Sequence, residues 1–332
     1  MPALMRPQAE RRVQRILSKR SFFSGLAMFA AVMAFDQWLT TVPNRGDAPA
    51  RQANVRFVPI VFDPARSAPL RLGGAWMVDV DDLRFGGISA LAIEGGQLLA
   101  LTDSGSLFEL PKPDSGKRRA IVRDLPSGPG NPNFKYHRDS EALVRDPSGR
   151  GWWVAFEHHD ELWLYDRNFG TALQRIPLGN RGWGSNSGVE GMATADGDLL
   201  LFPEAGDIFL RITKSRVRFA KIANSSGRIS DAVAVDRERF LVVERRLTPV
   251  GFQNTLISLE KSPSGYRLGR RIPLSLKPLD NVEAIAVEHL AGGRRRLWLM
   301  TDDNFSPLMR TLLITFDCPE SVCGESARLP LL

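Results

Sequence analysis

Cysteine and histidine are scarce in this 332-residue sequence, which holds two of the first and four of the second. Cys318 and Cys323, in CPESVC, have no third cysteine or histidine beside them, which excludes a four-ligand structural zinc site. In an oxidising compartment that pair would instead close a small local disulfide. No apolar run reaches the roughly 20 residues of a membrane-spanning helix. No long amphipathic helical pattern follows residue 40, which excludes a helical bundle. There is neither a G-x-S-x-G elbow for an activated serine nor a glycine-rich loop opening a helix to cradle phosphate.

A basic face is also missing, although the formal net charge is +7. Residues 1–20 carry Arg6, Arg11, Arg12, Arg15, Lys19 and Arg20 against Glu10 alone, a net of +5, and the remainder is close to neutral. Binding to a nucleic-acid backbone needs clustered cations on the folded surface, so nucleic acid is excluded as a partner. The basic start precedes the apolar run Phe22–Phe35, which suits the core of an export signal. Ser18-Lys19-Arg20-Ser21-Phe22-Phe23 resembles a twin-arginine signal with lysine in place of one arginine. Residues 1–40 are therefore expected to be a signal peptide or an uncleaved anchor, and residues 41–54 a linker. The body is expected in the periplasm or elsewhere outside the cytoplasm, touching a membrane only through that anchor.

The body is rich in turn residues, with 29 glycines and 22 prolines, and 43% of the chain is hydrophobic. Short β-branched and aromatic runs lie between these breakers, the pattern of an all-β chain. One arrangement recurs. An apolar run opening on a polar residue, a turn, and a second apolar run closing on a polar residue appear at 86–105, 139–166, 187–206, 229–246 and 281–302. The opening residues are Ser89, Glu141, Glu190, Asp231 and Glu283, spaced 52, 49, 41 and 52 residues apart. Periods of 40–50 residues holding about four strands are the mark of β-propeller blades. A propeller over residues 55–317 is expected, with a tail at 318–332. VRFVPIVF (55–62), AWMVDV (75–80) and RTLLITF (310–316) leave material for a sixth blade or for completing the fifth. Six blades are expected, five being the alternative, with the ring closed by strands from both termini.

In an antiparallel hairpin the start of one strand lies beside the end of the next. The expected pairs are Ser89 with Asp103, Glu141 with Glu157, Glu190 with Glu204, Asp231 with Glu244, and Glu283 with Asp302, all at one mouth of the ring. Clustered carboxylates raise one another's pKa or recruit a counter-charge. Glu141, Glu190, Glu283 and His137 are the candidate catalytic groups. Asp302, Asp303, Asn304 and Glu204 are the candidate ligands of a calcium ion, which takes six to eight oxygens. Asp103, Glu157, Glu244, Arg245, Arg138 and Arg310 are the candidate substrate contacts. Glu157-His158-His159 offers a second metal or base motif, with adjacent histidines facing opposite ways along a strand.

The motifs GGISALAI…LLALTDSG, RDSEALVRD, SNSGVEGMAT, ISDAVAVD…FLVVERR and DNVEAIAV…LWLMTDDNF…RTLLITF resemble the phytase-like propeller family named for "esterase-like activity of phytase". The resemblance runs over about residues 70–317. It implies an exported bacterial β-propeller named for hydrolysis of ester or phosphoester substrates, and it places an acid where this chain has Ser89. The expected function is a monomeric exported hydrolase acting on a small ester or phosphoester at an acidic channel mouth. A non-catalytic exported binding or scaffold module is the alternative.

Overall fold

The computed structural model describes residues 49–179, 188–204, 207–213, 216–223, 228–262, 265–274 and 276–324. The expected leader, most of the loop 182–188 and the last eight residues lie outside the described residues. Among those described, no helix is long and apolar enough to cross a membrane.

The chain begins with β1 (Arg51–Pro59) and β2 (Arg71–Val80). β3 (Ile88–Glu94), β4 (Gln97–Thr102), β5 (Ser106–Leu110) and β6 (Arg119–Asp124) form the first four-stranded antiparallel unit. A one-turn helix, α1 (Lys135–Arg138), leads to the second unit of β7 (Ser140–Arg145), β8 (Gly151–Phe156), β9 (Glu161–Asp166) and β10 (Ala172–Pro177). The third is β11 (Val189–Ala195), β12 (Asp198–Pro203), β13 (Ile208–Thr213) and β14 (Arg216–Ala223). The fourth is β15 (Arg228–Ala234), β16 (Arg239–Thr248), β17 (Gly251–Ser262) and β18 (Gly265–Pro273). The fifth has β19 (Asn281–His289), β20 (Arg295–Asp302) and β21 (Leu312–Cys318), and β2 completes it by pairing with β21. A last helical turn, α2 (Glu320–Cys323), follows, and Cys318 and Cys323 are joined as a disulfide.

Strand burial follows position within a unit. The second strands are buried on both faces, so GWWVAF in β8 and DLLLFP in β12 read as unbroken apolar runs. The outer strand β10 (ALQRIP) is largely exposed and mixed in character. The first strands pack on one another in the cyclic order β3, β7, β11, β15, β19 and back to β3. Gly191 makes that approach possible, since a Cβ there would lie 2.5 Å from the Ala232 backbone nitrogen. Five apolar clusters fill the wedges between successive units; one joins Trp153 and Leu162 of the second to Met192 and Leu201 of the third.

The architecture is mostly β and propeller-like, as the period implies. The leftover strands do not make a sixth unit among the described residues: β2 enters the fifth, and β1 bridges it to the first by pairing with β2 and β6. β1 also begins at Arg51, inside the expected linker.

Gly191→Ala should cost about 1–3 kcal/mol, the usual range for overpacking a close contact. A lower urea midpoint at unchanged m-value would register it.

Candidate functional site

Each unit opens with the same irregularity. The pairing of its first two strands slips by one residue, leaving Ser89, Glu141, Glu190, Ser230 and Glu283 as the extra residue of a β-bulge. At the far end of each second strand, one position beyond the residue opposite the bulge, stand Asp103, Glu157, Glu204, Arg245 and Asp302. These ten residues head the hairpins at the same end of the five units, and seven are acids.

The fourth unit differs from the sequence reading by one residue at both ends. Ser230 takes the bulge where Asp231 was expected, and Arg245 stands where Glu244 was. A one-residue step reverses the face on which a strand side chain lies. Glu244 accordingly bonds Arg271 of β18. Asp231 accepts the backbone N–H groups of Ala232 and of Ile285, both at 2.7 Å, and so ties the fourth unit to the fifth. The two serines do similar work: Ser89 Oγ donates to the Ser140 carbonyl at 2.6 Å and Ser230 Oγ to that of Val282 at 2.9 Å.

Two cations divide the acidic mouth between them. Lys135, carried inward by α1, places Nζ 2.5 Å from Asp139 Oδ1 and 3.2 Å from Asp103 Oδ2. Burial opposes its charge, but Asp103, Asp139 and Glu141 outweigh that and raise its pKa. Arg245 donates to Glu283 and lies 3.6 Å from Glu204, which Arg228 also approaches at 2.7 Å. Asn281 adds its amide to Glu283 at 2.6 Å.

Glu141 and Glu190 have neither a hydrogen bond nor an ion pair among the described residues. Burial pushes both carboxyls well above the usual range; Glu190, Asp139 and Glu157 add to the effect on Glu141, and Glu157 and Glu204 to that on Glu190. Burial, followed by the nearby Asp139, brings Glu157 to about 7. Burial outweighs Lys135 at Asp103, whose pKa rises to about 6, and Oδ1 of that residue has no hydrogen-bond partner. Asp302 is likewise raised, first by burial and then by Asp103 and Asp303. Asp139 moves the other way, because Lys135 and His158 more than offset its burial.

His158 Nε2 lies 2.8 Å from Asp139 Oδ2 and 3.9 Å from Glu157 Oε2. Asp139, Glu157 and His158 each offer a ligand atom within 4.8 Å of the others, the one group of three His, Cys, Asp or Glu side chains that does so among the described residues. The expected set of Asp302, Asp303, Asn304 and Glu204 does not form such a group. Asp303 is spent on backbone and hydroxyl donors around it, accepting from Gly87 N at 3.1 Å, Phe305 N at 2.9 Å and Thr311 Oγ1 at 2.8 Å. The Asn304 amide lies 3.9 Å from Met309 Sδ.

The remaining expected residues have other partners. His137 meets His159 at 2.8 Å rather than a carboxylate. Arg138 is buried and donates to the Pro129 carbonyl. Arg310 makes a two-pronged contact with Asp280 at 2.7 and 2.8 Å. Lys135 and Asp139 were not among the expected site residues; Asp139 sits two positions before Glu141 in RDSE, while Lys135 lies in a Pro- and Gly-rich loop with no pattern to mark it.

Residues 83–305 match the phytase-like family, described as "esterase-like activity of phytase". No curated protein matches. Among solved structures, Myxococcus xanthus glutaminyl cyclase is 13% identical with a TM-score of 0.47, over 82% of this chain and 100% of that one. The WD40 repeats of RRP9 are 9% identical with a TM-score of 0.42, over 84% and 99%.

Raised carboxyls bind protons more tightly in the folded state, so their contribution to stability is full below about pH 4, near the unfolded values of Asp and Glu, and falls as pH rises toward the folded ones. In EDTA, Glu157→Gln and Asp103→Asn should flatten the decline in melting temperature between pH 5 and 8. His159, lowered by burial, works in the opposite sense around its ordinary value. The difference between wild type and variant, measured by thermal melts across pH, isolates the carboxyls.

Proposed function

The chain belongs to the phytase-like family, and from that premise we propose an exported, five-bladed hydrolase that cleaves an ester or phosphoester at its acidic mouth with a bound divalent cation. The observation carrying this reading is the juxtaposition of Asp139, Glu157 and His158 at ligand spacing with the undonated carboxyls of Glu141 and Glu190. The donor chemistry fits a divalent ion. Two carboxylates and an imidazole suit a transition metal, and calcium would use Asp139 and Glu157 with water and neighbouring oxygens. Such an ion, when bound, supplies Lewis-acid polarisation of a carbonyl or phosphoryl oxygen and offsets negative charge on the substrate.

The chain's own groups supply the rest. Glu141, beside the three-ligand group but not a member of it, is the candidate base for an attacking water. Glu190, its carboxyl pushed well above the usual range by burial, is the candidate acid for a leaving oxygen. Lys135 places a fixed positive charge beside Asp103 and Asp139, where negative charge on a substrate oxygen would gain from it. The basic and apolar leader supports delivery to the periplasm.

The excess of acids at the mouth favours a second reading, a binding module that grips a cationic ligand without turnover.

Hydrolysis of p-nitrophenyl acetate and p-nitrophenyl phosphate, with calcium, manganese or zinc against EDTA, tests the proposal. Metal should raise the melting temperature and activate one substrate, and Glu141→Gln should lower kcat by about 10²–10⁴-fold, the range for general acid–base catalysis. Stabilisation without turnover points to the binding module. No stabilisation and no turnover with any of the three metals refutes the hydrolase.

A further inference from the structure

We propose that the mouth end of the protein docks on the surface of a phospholipid bilayer, its exposed apolar loop tips entering the headgroup layer. This goes beyond the hydrolase reading and needs neither metal nor turnover.

The two ends of the molecule differ in what their connections expose. First strands start at the mouth and second strands end there, so the connections after the second and fourth strands of a unit lie at that end. Leu83, 84% exposed, sits on the connection from β2 to β3, and Leu308, 66% exposed, on that from β20 to β21. Phe134 and Tyr136 stand exposed on the connection into the second unit. β16 continues to Thr248, three residues past Arg245, so its hairpin with β17 carries Leu247 and Val250 beyond the rim. The opposite end is polar, with turns such as Glu94-Gly95-Gly96-Gln97 and Asp236-Arg237-Glu238. Val61 is the one exposed large apolar side chain in its connections among the described residues; the others lie within β1, β2, β10 and β14.

Exposed apolar side chains concentrated at one end mark an interaction surface. These are spread over four connections around a charged basin, so they form no continuous groove for a folded partner. Each can enter a fluid headgroup layer on its own. Tyr136 has the apolar ring and polar tip that such a layer favours. Arg246 and Lys277 are exposed near the Val250 hairpin, which the Pro278 carbonyl joins by accepting from Phe252 N at 2.6 Å, and they supply cations for lipid phosphates.

The route of the chain favours lipid over a soluble partner. β1 starts at Arg51, and its antiparallel pairing with β2, Val55 opposite Val80, puts that start at the mouth end. The apolar run Phe22–Phe35 is joined to it by residues 36–50, a tether of at most about 50 Å when fully extended. That run, retained in a bilayer, holds the mouth end toward the lipid and the polar end away from it. The acids of the basin favour a zwitterionic surface over an anionic one.

The test uses the full chain with vesicles of phosphatidylcholine and phosphatidylethanolamine. Cys318 and Cys323 are joined to each other, so an introduced cysteine is the one thiol that takes an environment-sensitive dye. Leu83→Cys, Val250→Cys and Leu308→Cys report on the mouth end and Arg237→Cys on the polar end. With bromine-substituted lipids, the dye at each mouth position should shift to shorter wavelength and be quenched at least fivefold more than at position 237. Leu83→Asp combined with Val250→Asp should remove most of the quenching at position 308. In that variant the run Phe22–Phe35 should still hold the protein on floated vesicles, with circular dichroism unchanged. Equal quenching at all four positions, or none at the three mouth positions, overturns the proposal. So does a dye at position 308 that shifts before lipid is added, which marks contact between copies of the chain. Full quenching at position 308 in the two-aspartate variant overturns it as well.

Discussion

The site depends on the β-bulge that opens every unit. A regular antiparallel pair would turn the first polar residue of each inner strand toward a neighbouring strand face. The extra residue breaks that alternation and frees one side chain per unit to stand at the mouth. Because the inner strands pack in a cycle, five such side chains converge. Where the bulged residue is serine, its hydroxyl is consumed by the next strand's carbonyl, and the unit contributes closure instead of charge. Where it is glutamate, the unit contributes a carboxyl.

Convergence creates an electrostatic problem that the chain solves only in part. Seven acids share the ten mouth positions, and their mutual repulsion and burial favour the neutral form. Lys135 and Arg245 relieve opposite sides of the basin. The result is a graded set of carboxyls within one mouth: Asp139 is lowered by Lys135 and His158 despite its burial, Glu157 sits at about 7, and Glu141 and Glu190 are pushed well above the usual range by burial. A gradient of that kind lets one surface offer both a proton acceptor and a proton donor.

Much of this was legible in the sequence because repetition is a one-dimensional signal. The spacing of Ser89, Glu141, Glu190 and Glu283 locates four of the five bulges. The fourth unit was misread because Asp231 resembles the acids at the other positions, whereas the bulge falls on Ser230, and pairing register is a property of two strands together. Asp302-Asp303-Asn304 has the composition of a calcium loop, but composition cannot reveal that Asp303 is committed to Gly87, Phe305 and Thr311. Lys135 was invisible for another reason: it reaches the mouth from a connecting loop outside the repeat, so no period predicts it. The runs at 55–62 and 75–80 read as strands, but only three-dimensional pairing could assign β2 to the last unit and β1 to a bridge.

That assignment constrains the order in which the molecule can be made. β2 leaves the ribosome early but finds its partner β21 only when nearly the whole chain exists; Gly74 and Thr315, which share a hydrogen bond, are 241 residues apart. Until then β2 has only β1 beside it, and the fifth wedge of the ring stays open along an unpaired edge. Long-range pairing of this kind slows folding and prolongs exposure of strand edges. The first four units can assemble in sequence, each on its predecessor, so the ring is sealed last by its oldest and youngest strands together.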